Sequence, residues 1–214
     1  MKIALTGSTG FIGKNLKSFL EKKNFDVITL GRHKSSDIKF DLLKNKSLKY
    51  KISCDILIHA ASISVNELYR KKKININNIT KIISSELNSL EVLINFCKTN
   101  SVRKIIFISS ASVYGKNLKN KSFKTKQVAN PSDIYGALKL AMEILGSKLF
   151  NNFICLRLFQ VYGPHDLGFR LVPTAIDRKN IKLKNPYNVT DMIYYKDLNN
   201  LIYRLIKSKK INRG

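Results

Sequence analysis

An α/β fold on a doubly wound parallel sheet is predicted by three observations. Short apolar runs alternate with longer amphipathic stretches along the chain; the first apolar run opens at once into closely spaced glycines; and no linker or internal repeat divides the 214 residues. Alternation of this kind places helices on both faces of a parallel sheet. Strands are expected at 2–6, 26–30, 55–59, 103–109 and 153–158. Helices are expected near 11–23, 75–99, 132–149 and 196–208, with a shorter one near 169–179.

Each element has its own signal. Lys2-Ile3-Ala4-Leu5-Thr6 carries no charge beyond its first residue, as a strand buried on both faces requires. Gly7, Gly10 and Gly13 follow, and then a stretch with Leu16, Phe19 and Leu20 on one face. Strand, glycine turn and helix is the setting of a phosphate-binding loop. Gly7 would allow the tight turn, Gly10 the approach of a pyrophosphate, and Gly13 the close packing of helix on sheet, while the helix N-terminus would offer N–H groups to the phosphates. The second strand, Phe25 to Leu30, runs into Gly31-Arg32-His33-Lys34 with no acidic residue where one would take ribose hydroxyls. Arg at this place accommodates a 2′-phosphate, so NADP(H) is favoured over NAD(H). Ser132 after Pro131 is the expected N-cap of the helix near 132–149.

That helix carries Tyr135 and Lys139. Residues four apart project from one helix face. A phenol titrates near ~10 in isolation, and a fixed ammonium beside it favours the phenolate. Ser110, at the end of its strand, could hold a substrate oxygen against the Tyr. Together these are equipment for moving a proton on and off a carbinol oxygen. In doubly wound sheets the ligand edge is the carboxyl end of the strands, and Ser110, the Tyr/Lys helix and the glycine loop all fall there.

Composition narrows the classes. No apolar run approaches the ~20 residues that span a bilayer. With a strand from residue 2, no secretory leader is expected, and the reading is cytoplasmic. Cys54, Cys97 and Cys155 are spread through apolar segments and read as buried free thiols, not as a disulfide frame or a metal site. The net charge of +25 invites a nucleic-acid reading. Yet 31 of the 39 basic residues are lysine, beside abundant Asn and Ile. The clusters Arg70-Lys71-Lys72-Lys73 and Lys116 to Lys126 lack the interleaved aromatics of a stacking surface. Nonspecific, salt-sensitive binding of polyanions is the most that charge implies.

The motifs are collinear with those of a known family. Thr6-Gly7-Ser8-Thr9-Gly10-Phe11-Ile12-Gly13 is similar to a TGxxGxxG cofactor loop, His59-Ala60-Ala61 to an HxAA segment, and Ser109 through Gly115 to an SSxxVYG segment. Tyr135 and Lys139 match YxxxK; Arg157 through Pro164 resembles RxxNVYGP, and Asp191 through Leu198 a late RDxxxVxD segment. The chain thus resembles the extended short-chain dehydrogenase/reductase family, the NAD-dependent epimerase/dehydratase branch.

The resemblance implies a Rossmann-type domain over 1–160 and a small, incomplete substrate-binding region over 161–214, since members of the family continue past residue 214. It implies Ser110, Tyr135 and Lys139 as catalytic residues. Gly7, Thr9, Gly10, Phe11, Ile12, Gly13, Arg32, Asp41, Leu42, His59, Ala60 and Ala61 would bind cofactor, with Tyr135 and Lys139. Ser112, Gln160 and Thr190 would face a nucleotide-linked sugar. No metal is expected, and a homodimer through the Tyr/Lys helix is, to which Leu138, Leu140, Met142, Leu145 and Leu149 would contribute. Lys139 would bond the nicotinamide ribose, and Tyr135 would exchange a proton with the substrate oxygen while hydride moves.

Departures shape the substrate reading. Ala111 and Ser112 stand where the family's dehydratases carry Asp-Glu, which argues against water elimination. Gln160 replaces an Asn, Thr190 an Arg, and the Asn of the long central helix is absent, with Ser85 near its place. The expected activity is an oxidoreductase or epimerase, with reduction at C4 slightly favoured. The alternatives are a dinucleotide-binding protein without turnover and a nonspecific nucleic-acid binder.

Overall fold

The computed structural model describes residues 1–41, 44, 47–62, 76–115, 123–124, 126–164, 166, 171–177 and 191–208. Its centre is a six-stranded parallel sheet: β1 (Lys2–Thr6), β2 (Asp26–Gly31), β3 (Ile38–Lys39), β4 (Ile56–His59), β5 (Lys104–Ser110) and β6 (Phe153–Leu158), in the order β3-β2-β1-β4-β5-β6. Among the described residues five helices accompany it: α1 (Phe11–Lys22), α2 (Ile76–Thr99), α3 (Ile134–Leu149), α4 (Leu171–Asp177) and α5 (Tyr195–Lys207).

Strand alternation builds the two layers. Ile3 and Leu5 of β1, Ile56 and Ile58 of β4, and Ile106 and Ile108 of β5 face one side, where Leu16 and Leu20 of α1 and Leu198 and Ile202 of α5 cover them. The residues between them, Ala4, Leu57, Ile105 and Phe107, face the other side with Leu90, Leu93 and Phe96 of α2 and Leu138 and Met142 of α3. Period two in the strands and the i, i+4 stripe in α1 thus meet in one packed layer. Each wholly buried Leu there contributes about 1.5–3 kcal/mol.

The strand order reverses between β1 and β4, whose last residues, Thr6 and His59, are paired in register. A crevice at the carboxyl end of such a reversal is where open α/β sheets hold ligands. Two further strands, β7 (Gln160–Tyr162) and β8 (Met192–Tyr194), form a separate parallel pair that leads directly into α5.

Some expectations are corrected. The N-cap of α3 is Asp133, not Ser132: its Oδ1 accepts from the Gly136 amide at 2.7 Å, and the helix starts at Ile134. Cys54 and Cys97 are buried and free as expected, but Cys155, on edge strand β6, is only half-buried. β3, β7 and β8 were not anticipated. Arg70 to Lys73, most of Lys116 to Lys126, Leu42 and Thr190 lie outside the described residues.

Candidate active site

The glycine loop follows β1 and caps α1. Gly7 sits at φ +74°, where a Cβ would come within 2.6–2.8 Å of the Ala60 and Ala61 backbone. At Gly13 a Cβ would lie 2.1 Å from the Gly7 carbonyl oxygen, so the helix approaches the loop as only glycine permits. Gly10 differs: its Cβ would meet nothing closer than the Gly7 oxygen at 3.4 Å. Gly10 is the N-cap of α1, no side chain caps that end, and its first turn holds no acidic residue. Amides at such an end favour an anion.

The loop opens on a cleft of about 230 Å³ lined by Gly7 to Gly10, by Gly31, Arg32 and His33 after β2, and by Asp41, Ala60 and Ala61. Ser36 also lines it, and its buried Oγ has no hydrogen-bond partner. An orphaned buried hydroxyl beside a helix N-terminus fits a ligand carrying both hydroxyls and phosphates, as a dinucleotide does. Phe11, Ile12 and Gly13 lie behind the loop. The first two pack on the core between α1 and the sheet.

His59 is beneath the cleft wall rather than in it. Its Nδ1 lies 2.8 Å from Thr6 Oγ1, which accepts from the Ala61 amide at 3.2 Å. Thr6 Oγ1 and His59 Nδ1 are thus hydrogen-bonded beneath the loop, while the buried Nε2 has no hydrogen-bond partner among the described residues. Burial, aided by the nearby Lys139 charge, pushes the His59 pKa down to about 3, so the ring is neutral at physiological pH.

Ser110 ends β5 and caps the single 3-10 turn Ala111–Tyr114. Its Oγ accepts from the Ser112 amide and bonds the Ser112 hydroxyl, both at 3.1 Å. α3 packs directly on this turn, for a Cβ at Gly136 would stand 2.4 Å from the Ser112 carbonyl oxygen. The glycine next to Tyr135 is thus what lets its helix approach the Ser110 strand end.

Lys139 lies one turn beyond Tyr135, at 2% exposure. Its Nζ is 5.8 Å from the Tyr135 ring centroid, 4.7 Å above the Phe107 ring, and donates to the Ile108 carbonyl at 3.2 Å. Burial lowers its pKa to about 8 against the opposing charges of Glu86 and Glu143. One further turn along α3, Glu143 accepts from Ser109 Oγ and receives the Arg157 guanidinium on both oxygens, at 2.7 and 3.2 Å. Arg157 also stands 4.8 Å over the Tyr114 ring, and its bond to Glu143 holds it firmly protonated.

The structure therefore brings Ser110, Ser112, Tyr135 and Lys139 onto adjoining elements at the carboxyl edge of the sheet. Gln160 lies farther along, opening β7, with its amide donating to the Asp191 carbonyl at 3.3 Å. Ser85, near the place of the family's Asn, turns its Oγ back to the Lys81 carbonyl at 2.7 Å, while Glu86 and Ser89 of the same helix are buried. Sequence reasoning passed over Ser36, Glu86 and Glu143. For Glu143 the i, i+4, i+8 stripe from Tyr135 and Lys139 was an available signal.

With this geometry in place, comparison with known proteins decides the family. The profile of the NAD dependent epimerase/dehydratase family matches residues 3–213. The chain belongs to that family. It is 28% identical to a dTDP-D-glucose 4,6-dehydratase of Dictyostelium discoideum, over 86% of this chain and 48% of that protein. It is 29% identical to a GDP-6-deoxy-D-talose 4-dehydrogenase of Aggregatibacter actinomycetemcomitans, over 96% of this chain and 70% of that one. The chain thus spans about half the length of the first relative. Its fold superposes on a UDP-glucuronic acid 4-epimerase from Bacillus cereus, in complex with a 4-deoxy-4-fluoro analogue and NAD. That superposition has a TM-score of 0.79 at 22% identity and covers 98% of this chain and 74% of the other. Among the described residues no helix is long and apolar enough to cross a membrane, and no group of His, Cys, Asp and Glu is placed to hold a metal.

Proposed function

We propose that this member of the family is an NAD(P)-dependent oxidoreductase or epimerase acting on a nucleotide-linked sugar, with 4-keto reduction favoured over epimerisation. The observation that carries the reading is the stripe of Tyr135 and Lys139 on α3, set by Gly136 against the strand end that bears Ser110. The nicotinamide cofactor supplies the hydride chemistry when bound. The chain's own residues do the rest. The Gly7–Gly13 loop and the α1 amides hold the pyrophosphate, Ala60, Ala61 and Asp41 wall the cleft, and Ser110 orients the substrate oxygen. Tyr135 passes a proton to or from that oxygen. Lys139, an ammonium near neutral pH, bonds the ribose and favours the phenolate.

Arg32 and His33 line the cleft where the adenosine ribose would lie, which supports NADP(H) over NAD(H). Ala111 and Ser112 supply no carboxyl group for elimination, which favours reduction or epimerisation over dehydration. The amoebal relative's name makes dehydration the reaction to test against. The region from residue 161 is proposed to face the sugar. A homodimer through α3 is also proposed. Its Leu138 and Met142 are core residues, but Ile144, Leu145 and Leu149 are exposed, at 53%, 40% and 44%. Light scattering on the purified chain at twice the monomer mass supports the dimer, and the monomer mass dismisses it.

The test is a titration with NADPH and NADH at raised salt, followed by product analysis with keto-sugar nucleotides. Tyr135→Phe should lower turnover by about 10²–10⁴-fold while cofactor still binds. Binding without any turnover in the parent chain would instead favour the sensor reading.

A further inference from the structure

Between β2 and β3 the chain makes a short exposed turn with one buried residue in it. Arg32, His33, Lys34 and Ser35 are exposed, and so is Asp37; Ser36 between them keeps only 8% of its surface. A serine in such a turn ordinarily faces water. Here the Oγ is cut off from solvent and has no hydrogen-bond partner among the described residues, a state that costs free energy until something bonds it. The oxygen lies beside Gly31, where a Cβ would stand 2.9 Å from it, so the glycine that ends β2 is what leaves room for it at the cleft wall. Bonds on both sides hold the turn in place. The Ser36 amide donates to the His33 carbonyl at 2.9 Å, Lys39 Nζ donates to the same carbonyl at 2.7 Å, and the His33 ring is tied through Nδ1 to the Ser35 hydroxyl at 2.7 Å. The turn's carboxylate is tied to β2 rather than offered to the cleft. Asp37 Oδ2 accepts from the Thr29 amide at 2.8 Å and from the Thr29 hydroxyl at 2.7 Å, and the Asp37 amide donates back to Thr29 Oγ1 at 3.0 Å. The two bonds from Thr29 hold the Asp37 carboxyl below the usual carboxylate range. What the turn presents at the cleft is therefore Arg32, His33 and Ser36. Asp41, the carboxylate among the described lining residues, comes after β3 and is no part of the turn.

We infer that Ser36 is a specificity-determining residue: its hydroxyl donates to a phosphate on the 2′ position of the cofactor's adenosine ribose, beside the Arg32 guanidinium. An ionised phosphate monoester offers acceptor oxygens, and it meets here a donor without a partner and a cation. Ribose hydroxyls are instead taken by a carboxylate, and the carboxylate of this turn is bound to Thr29. The inference rests on the dinucleotide reading of the cleft and narrows its choice of cofactor to one oxygen atom.

The experiment is a calorimetric titration with NADPH and with NADH at raised salt, on the parent chain and on Ser36→Ala. The variant should lose about ten- to a hundredfold in NADPH affinity, while its NADH affinity should move by no more than about threefold. Its urea midpoint without cofactor should stay where it is or rise, since the hydroxyl removed has no partner inside the protein. Unchanged NADPH affinity in Ser36→Ala overturns the inference. So does an equal loss for both cofactors, which would make the residue merely structural, and so does a lowered urea midpoint, which would mean that the hydroxyl is bonded within the chain. A parent chain that binds NADH more tightly than NADPH overturns it as well. In each of these cases the dinucleotide reading of the cleft stands. A parent chain that binds neither cofactor sinks that reading and the inference together.

Discussion

The two halves of the carboxyl edge are built by different means. The β1–α1–β2 half is made largely of backbone: glycines at 7, 10 and 13, the amides that open α1, and a cleft wall in which Gly31, Ala60 and Ala61 stand beside Arg32, His33 and Asp41. The β5–α3–β6 half is made of side chains: Ser109, Glu143 and Arg157 are joined across three elements, Lys139 donates to the Ile108 carbonyl beside them, and all but Arg157 are buried. A backbone site tolerates little change in shape, and its dipoles do not depend on the charge of any side chain. A side-chain site tolerates changes of shape but depends on every charge having its partner. One half suits a ligand held by phosphates and the other a reaction that moves a proton.

Breaking the charged half should cost most. Glu143→Ala would leave Arg157 paired only with the Tyr114 face, and a loss of about 3–5 kcal/mol is expected in denaturant unfolding; a loss under 1 kcal/mol would show the network to be dispensable. In the backbone half, Gly13→Ala places a methyl 2.1 Å from the Gly7 oxygen. About 1–3 kcal/mol should be lost, together with at least a tenfold loss in NADH affinity by calorimetry. Full affinity in a folded Gly13→Ala would mean that the loop does not need its close approach.

The seam between the halves is His59, and it responds to acid. Its folded pKa of about 3 lies below the unfolded value of 6.5, so between the two the unfolded chain binds the extra proton. Stability from this group is complete above 6.5 and falls by about 1.4 kcal/mol per pH unit as pH drops toward 3. His59→Asn, which can keep the Thr6 contact, should flatten the melting temperature against pH in that window; an unchanged slope would place the acid sensitivity elsewhere. The smallest effect is local. Asp133→Ala removes the cap on α3 and should cost about 1 kcal/mol, with turnover reduced less than by any change to the Tyr135 stripe.

The same contrast explains what was legible in the sequence. The glycine loop, the alternating strands and the Tyr135/Lys139 pair are local patterns, and each was readable from spacing alone. β3, β7 and β8 are two or three residues long, too short to show period two. Ser132 and Asp133 are both good caps, and only the backbone decides that Asp133 meets the Gly136 amide. Ser85 and Glu86 differ by one residue, or about 100° around α2. Leu90, Leu93 and Cys97 lie four, seven and eleven residues after Glu86, so the core stripe of the helix did point to it. The contacts of Glu143 with Ser109 and Arg157, by contrast, join separate elements, and no periodicity announces them.

α5 closes the layer over α1, and the buried Lys104 of β5 grips its end, donating to the carbonyls of Leu205 at 2.5 Å and Ser208 at 2.8 Å. During synthesis, then, the middle of the sheet emerges from the ribosome long before the helix that covers it. This layer cannot be completed when β5 appears; its closure waits for residues about a hundred positions later. In that interval the apolar face of β1, β4 and β5 stands open, and the many surface lysines become useful in a new sense, because mutual repulsion keeps half-made chains apart.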